Sequence, residues 1–204
     1  MKKLIGLVIC LFILTACSES CENSQLHQIN GRPVIWAEGM IPLVVVRSTF
    51  LDAHMINPID DAVYYINKVF GMTLLLPPVS IEGLQKAYNQ NVSILEMTYD
   101  SDIGVGRTEY YPWPDEGPVT ASVIYLANTD KIFEDLINKN KIDQTLYQWY
   151  FTIMVHELGH VLGLGHDFNN ACSIMYPSLL RNCKKDVSFE ERDISKIRSL
   201  YFKE

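Results

Sequence analysis

The sequence predicts an α+β domain, and three observations carry that reading. Short apolar, β-branched runs bounded by Pro, Gly or polar residues recur between residues 43 and 126, as strands do. Long helical segments then follow, over residues 145–163 and 189–201. No internal repeat or low-complexity stretch interrupts the 204 residues, a length that suits one domain with its own core.

Taken in order, Pro42 opens Leu43-Val44-Val45-Val46, the pattern of a buried strand. Residues 58–70 begin at Pro58 and carry Ile59, Val63, Ile66 and Phe70 at helical spacing, and Gly71 closes that helix. Thr73 to Leu76 reads as a short strand stopped by Pro77-Pro78. Val92 to Tyr99 alternates as a strand does, and Val119 to Leu126 is another strand. Residues 100–118, rich in Gly, Pro and aromatics, read as loop. Within them Tyr110, Tyr111 and Trp113 offer either a cleft lining or ordinary loop packing. Asp100-Ser101-Asp102-Ile103-Gly104 offers either a turn or oxygens for calcium.

The first residues have a different character. Lys2 and Lys3 precede an apolar run from Leu4 to Leu14, which is too short to span a bilayer and has the flanks of a secretory signal. The run ends in Leu14-Thr15-Ala16-Cys17, which resembles the lipobox of bacterial lipoproteins. That resemblance implies cleavage after residue 16, a lipid on Cys17, and an exported protein held at the cell envelope, on the outer membrane or the cell surface. The rival reading is a plain signal peptide. Residues 17–33 are polar and read as a tether, with the domain proper from 34 to 204. His27 and His54 stand alone and are expected in tether or loop.

Charge narrows the partners. Seventeen basic residues face 24 acidic ones, for a net charge of −7. Losing Lys2 and Lys3 with the signal leaves 15 against 24, or −9. No basic patch is present, which argues against nucleic acid and against electrostatic membrane binding. Of the five cysteines, Cys172 and Cys183 bracket one segment and are the pair expected to bond in an exported protein. The alternative is that Cys21, Cys172 and Cys183 all stay reduced.

The chemistry is concentrated in His156-Glu157-Leu158-Gly159-His160-Val161-Leu162-Gly163-Leu164-Gly165-His166. Residues four apart share a helix face, so His156 and His160 can each offer a nitrogen to one ion. Glu157 lies beside the first ligand, where it can reach a water without ligating. Gly163 can take the left-handed conformation that ends a helix, and the chain can then return His166 to the same ion. Three His ligands leave a fourth position open, the mark of a catalytic zinc site. At this composition such a string arises by chance in about one chain in 10⁵, so accident is a poor explanation.

This string resembles the extended zinc signature of the metzincins, and Ser173-Ile174-Met175-Tyr176-Pro177 resembles their Met-turn. Within that group, Met175-Tyr176-Pro177, the run from Asp193 to Tyr201 and the stretch from Gly104 to Leu126 look like the matrixins. Asp167 after the third His, where matrixins usually have Ser, and Cys172 before the Met-turn are adamalysin-like. The resemblance implies a mixed twisted sheet with an active-site helix and a C-terminal helix. It implies a zinc-dependent endopeptidase acting on proteins or peptides, with one catalytic Zn2+ on His156, His160 and His166 and Met175 beneath them. Glu157 would take a proton from water and pass it to the leaving amine. It implies that Val119 to Leu126, the strand before the catalytic helix, receives the substrate as an added strand. It also implies a pocket bounded by Thr152, one turn before His156, and by the wall from Pro177 to Leu179. The rival from another class is a surface lipoprotein that holds zinc and binds peptides without cutting them. An intact Glu157 speaks against it.

Overall fold

The computed structural model describes residues 26–29, 32–82, 91–97, 104–112, 116–139, 141–179 and 188–202. Cys17, Cys21, Asp100 to Ile103, Trp113 and Cys183 lie outside the described residues. The chain forms β1 (Gln28–Ile29), β2 (Arg32–Pro33), β3 (Val45–Ser48), α1 (Ala53–Phe70), β4 (Val79–Ile81), β5 (Val92–Met97), β6 (Gly106–Tyr111) and β7 (Ala121–Ala127). Three further helices follow: α2 (Asp130–Asn138), α3 (Leu146–Val161) and α4 (Glu191–Tyr201). The α+β class is as expected. Strands β3 to β7 make one sheet in the order β4-β3-β5-β7-β6, with β1 and β2 a separate small pair.

Val45, Val46, Val92, Ile94, Val123 and Ile124 are buried, as parallel central strands require. Neighbours from β4 to β7 are parallel, and β6 alone runs antiparallel, on β7. Helices α1 and α3 lie together in the main core, where Met55, Ile59, Ile66, Phe70, Trp149, Tyr150 and Met154 are buried.

Four details depart from the sequence reading. Helix α1 begins at Ala53, a turn and more before Pro58, because burial of Met55 extends the apolar face upstream. The expected strand at Thr73 to Leu76 is reduced to a bridge between Leu43 and Leu75, and pairing resumes after the two prolines as β4. Helix α2 was not anticipated; it buries only Leu136 fully, so its apolar signal is thin. Finally, β6 occupies residues expected to be loop. Its inner positions are Gly106, Thr108 and Tyr110 and its outer ones Arg107, Glu109 and Tyr111, so period-2 apolar alternation is absent.

The N-terminal stretch also differs. Residues 26–29 and 32–33, expected within a tether, lie against the domain. Leu26 bridges to Leu164, the His27 N–H donates to Gly163 O at 2.8 Å, and His27 is only 7% exposed. The apolar Leu26 and the imidazole of His27 are drawn in because the turn after α3 presents backbone groups that need partners.

Candidate metal centre and active site

Thr145 caps α3 by a reciprocal box with Gln148, which fixes where the helix starts. From Ile153 to Gly165 every residue is buried, so the second half of the helix is a core element that carries polar groups. Its exposed carbonyls must be satisfied at the far end. Tyr110 Oη donates to His160 O at 2.9 Å, Trp36 Nε1 to Val161 O at 2.6 Å and Tyr201 Oη to Leu162 O at 3.1 Å. Gly163 has φ +97°, and a Cβ there would lie 2.6 Å from Val34 O. Both facts require glycine at the turn that redirects the chain toward His166.

The three imidazoles meet. Each offers one ligand atom, and these atoms lie within 4.8 Å of one another. His156 Nδ1 is 2.8 Å from Ile174 O, and His160 Nδ1 is 2.7 Å from Leu164 O. A carbonyl only accepts, so each Nδ1 carries the proton and each Nε2 a lone pair. His160 Nε2 is 3.0 Å from His156 Nε2 and 3.2 Å from His166 Nε2. Two lone pairs at that distance need an electrophile between them. A proton is disfavoured, because burial lowers the His160 pKa to about 4. Burial, and then the charges of His160, His156 and His27, push His166 lower still. A cation is left. Three nitrogens on one tetrahedral zinc lie roughly 3.3–3.4 Å apart, close to what is found here. The donor set therefore fits zinc with one position open.

Glu157 is 3% exposed. Burial raises its pKa to about 7, against the opposing effect of a hydrogen bond from Thr108. Thr108 Oγ1 lies 2.7 Å from Glu157 Oε2, and a Cβ on Gly106 would lie 2.6 Å from Oε1.

Beneath the helix sits Met175, fully buried. A Cβ on Gly159 would run into Met175 Sδ, so glycine at that position lets the turn close under the ligands. Asp167 N donates to Met175 O at 2.9 Å, and the buried Asp167 carboxylate pairs with Arg192 of α4. The segment after the third His is thus tied to both the Met-turn and the last helix. Cys172 is disulfide-bonded, which excludes the reading with all three cysteines reduced.

The remaining expected residues are partly placed. Thr152 is half-buried, and its Oγ1 donates to Gln148 O at 2.8 Å, one turn back along α3. Pro177 and Leu179 are half-buried, Leu179 against the core. Tyr110 is buried packing rather than cleft lining. The expectation that Val119 to Leu126 receives the substrate is overturned, because β7 is hydrogen-bonded on both sides, to β5 and to β6. The terminal strand beside the catalytic helix is β6.

Three residues near the centre were given no role there by the sequence, His27, Gly106 and Thr108, and Tyr110 supports the catalytic helix through His160 O. His27 packs edge-on against His160 and tilted against Tyr110, with ring centroids 5.1 and 5.4 Å apart. Gly106, Thr108 and Tyr110 share one face of β6, but only one of the three is large and apolar, so no alternation marks the strand in the sequence.

Comparison with known proteins agrees with this geometry. A family model described as matrixin matches residues 94–202, from β5 to the end of α4. Over 50 residues the chain is 46% identical to Metalloendoproteinase 1 of Glycine max. That stretch is 24% of this chain and 16% of the relative, so the match spans about a sixth of the relative's length.

Proposed function

The chain belongs to the matrixin family, and from that premise we propose that it is a zinc-dependent metalloendopeptidase, exported and anchored by a lipid. At family level it is a metalloprotease, which implies a protein or peptide substrate. The observation that carries the zinc-peptidase reading is the meeting of three imidazole Nε2 atoms beside a buried carboxylate.

His156, His160 and His166 would hold the zinc, their orientation set by the Ile174 and Leu164 carbonyls behind the first two rings. Bound there, zinc supplies a Lewis acid that polarises a peptide carbonyl and makes water easier to deprotonate. Glu157 would take a proton from that water as the water oxygen bonds to the peptide carbonyl carbon, and would return it to the amide nitrogen as the C–N bond breaks, leaving a carboxylate and a free amine. The substrate backbone would add as a strand to β6, which terminates the sheet beside α3. The test is a peptide library incubated with the purified chain, with and without a zinc chelator. Cleavage lost with chelator and restored by zinc supports the reading; chelator-resistant cleavage, or none from zinc-loaded protein, refutes it.

Pocket depth is assigned to Thr152, which is smaller than Leu, Tyr or Arg and sits one turn before His156. The pocket should accept Leu, Met or Phe just after the cut, by tenfold or more over Ala, on the order of 1 kcal/mol per added methylene. Thr152→Arg should penalise the longest side chains most. Cleavage-site profiling by mass spectrometry reads this out, and a wild-type preference for charged or very small residues would exclude an open apolar pocket.

Anchoring is assigned to Cys17, on the lipobox pattern alone. Among the described residues no helix is long and apolar enough to cross a membrane. Cys17→Ser should move the protein from membrane to soluble fraction and abolish labelling by a fatty acid analogue. Wild-type protein that is soluble and unlabelled would contradict the assignment.

A further inference from the structure

Side chains at alternate positions of a strand share a face, and on β6 the inner face is made of Gly106, Thr108 and Tyr110. All three meet the catalytic helix. Tyr110 Oη holds His160 O at 2.9 Å. Gly106 leaves the space that the Glu157 carboxylate occupies, since a Cβ would lie 2.6 Å from Oε1 and 3.0 Å from Cδ. Between them, Thr108 Oγ1 lies 2.7 Å from Glu157 Oε2 and 3.3 Å from Glu157 O. The opposite face is occupied with itself: Arg107 pairs with Glu109 at 2.6 Å, and Tyr111 Oη donates to Glu109 at 2.8 Å.

The geometry points to Thr108 as the positioning residue of the general base, its hydroxyl holding one carboxylate oxygen of Glu157 in a single orientation. This rests on the metalloendopeptidase reading above. A carboxylate on a two-carbon stem has several rotamers, and only some aim at the site framed by the three His rings. The hydroxyl donates to Oε2, and Gly106 lets the other oxygen lie flat against the strand. A carboxylate that must move a proton within a near-attack geometry gains rate from being held there before substrate arrives. The holding strand is also the terminal strand of the sheet. A peptide backbone docked on β6 would therefore lie against the same strand that orients the base, which ties substrate register to base position.

The test uses zinc-loaded full-length chain and a fluorogenic peptide with Leu just after the scissile bond, chosen from the library cleavage above. Thr108→Val keeps shape and removes the hydroxyl. It should lower kcat about ten- to a hundredfold, the loss expected for one hydrogen bond to a charged group, with KM within about twofold and zinc content unchanged. Thr108→Ser should recover most of the rate. A second readout needs no activity. Thermal unfolding of metal-free Thr108→Val, Glu157→Ala and the double variant should show that the cost of losing the hydroxyl largely disappears without the carboxylate. Wild-type kcat in Thr108→Val, a serine variant no better than valine, or additive unfolding midpoints would overturn the inference. Zinc-loaded wild type that cleaves nothing would sink the peptidase reading instead, and the unfolding cycle would still decide the contact.

Discussion

Glu157→Ala should leave zinc bound at wild-type stoichiometry and lower kcat by about two to four orders of magnitude, the range general acid–base groups supply. The three imidazoles and the carbonyls behind them do not involve the Glu157 side chain, so the ligand set survives its removal. Metal analysis and peptide hydrolysis on the same preparation separate the two effects. A variant that cuts at the wild-type rate would show that the proton acceptor is another group. The carboxylate has a second signature in the metal-free protein. Burial raises its folded pKa to about 7 from an ordinary 4.5. The folded state therefore holds the proton more tightly, and the associated stability is full below about pH 4.5 and lost as pH rises through 7. Relative to Glu157→Ala, wild type should lose on the order of 3 kcal/mol between those limits. A pH-independent difference between the two proteins would contradict it.

Gly163→Ala should be the most damaging single-methyl change at the site. The new Cβ would lie 2.6 Å from Val34 O, a backbone atom that cannot swing aside, at a φ of +97° that other residues rarely adopt. Strain of that kind costs about 1–3 kcal/mol before any clash is counted. A midpoint loss of roughly 5–10 °C follows for a domain of this size. The same turn supplies Leu164 O behind His160, and it leads directly to His166. Weakened zinc retention should therefore accompany the lower midpoint. Differential scanning with and without zinc measures both; a midpoint within about 2 °C of wild type would mean that the turn can be remade around a side chain.

Much of the centre was legible because its residues obey fixed spacings. His156 and His160 share a helix face by their spacing, Gly163 can end a helix, and Met175 was placed by the resemblance of Ser173 to Pro177 to a Met-turn. Those constraints are local and survive without coordinates. What escaped was held by long-range contact. His27 reaches the centre from a segment read as tether, because the turn at Gly163 to Leu164 offers it a backbone partner 136 residues away in sequence. Strand β6 hid for a different reason. Its inner face abuts a catalytic helix whose carboxylate needs space and a hydroxyl, so glycine and threonine stand where apolar residues would announce a strand. The substrate role went to Val119 to Leu126 because the resemblance assigns it to the strand before the catalytic helix, and with β6 read as loop no terminal strand was in view.

Peptide hydrolysis should require one zinc ion, held by His156, His160 and His166. Adding zinc stepwise to stripped protein while bound metal and peptide cleavage are measured together tests this most directly. Cleavage should rise in proportion to occupancy and saturate at one ion per chain, and His166→Ala should neither retain the ion nor recover the rate. Full activity in stripped protein, or full zinc retention and activity in His166→Ala, would contradict it.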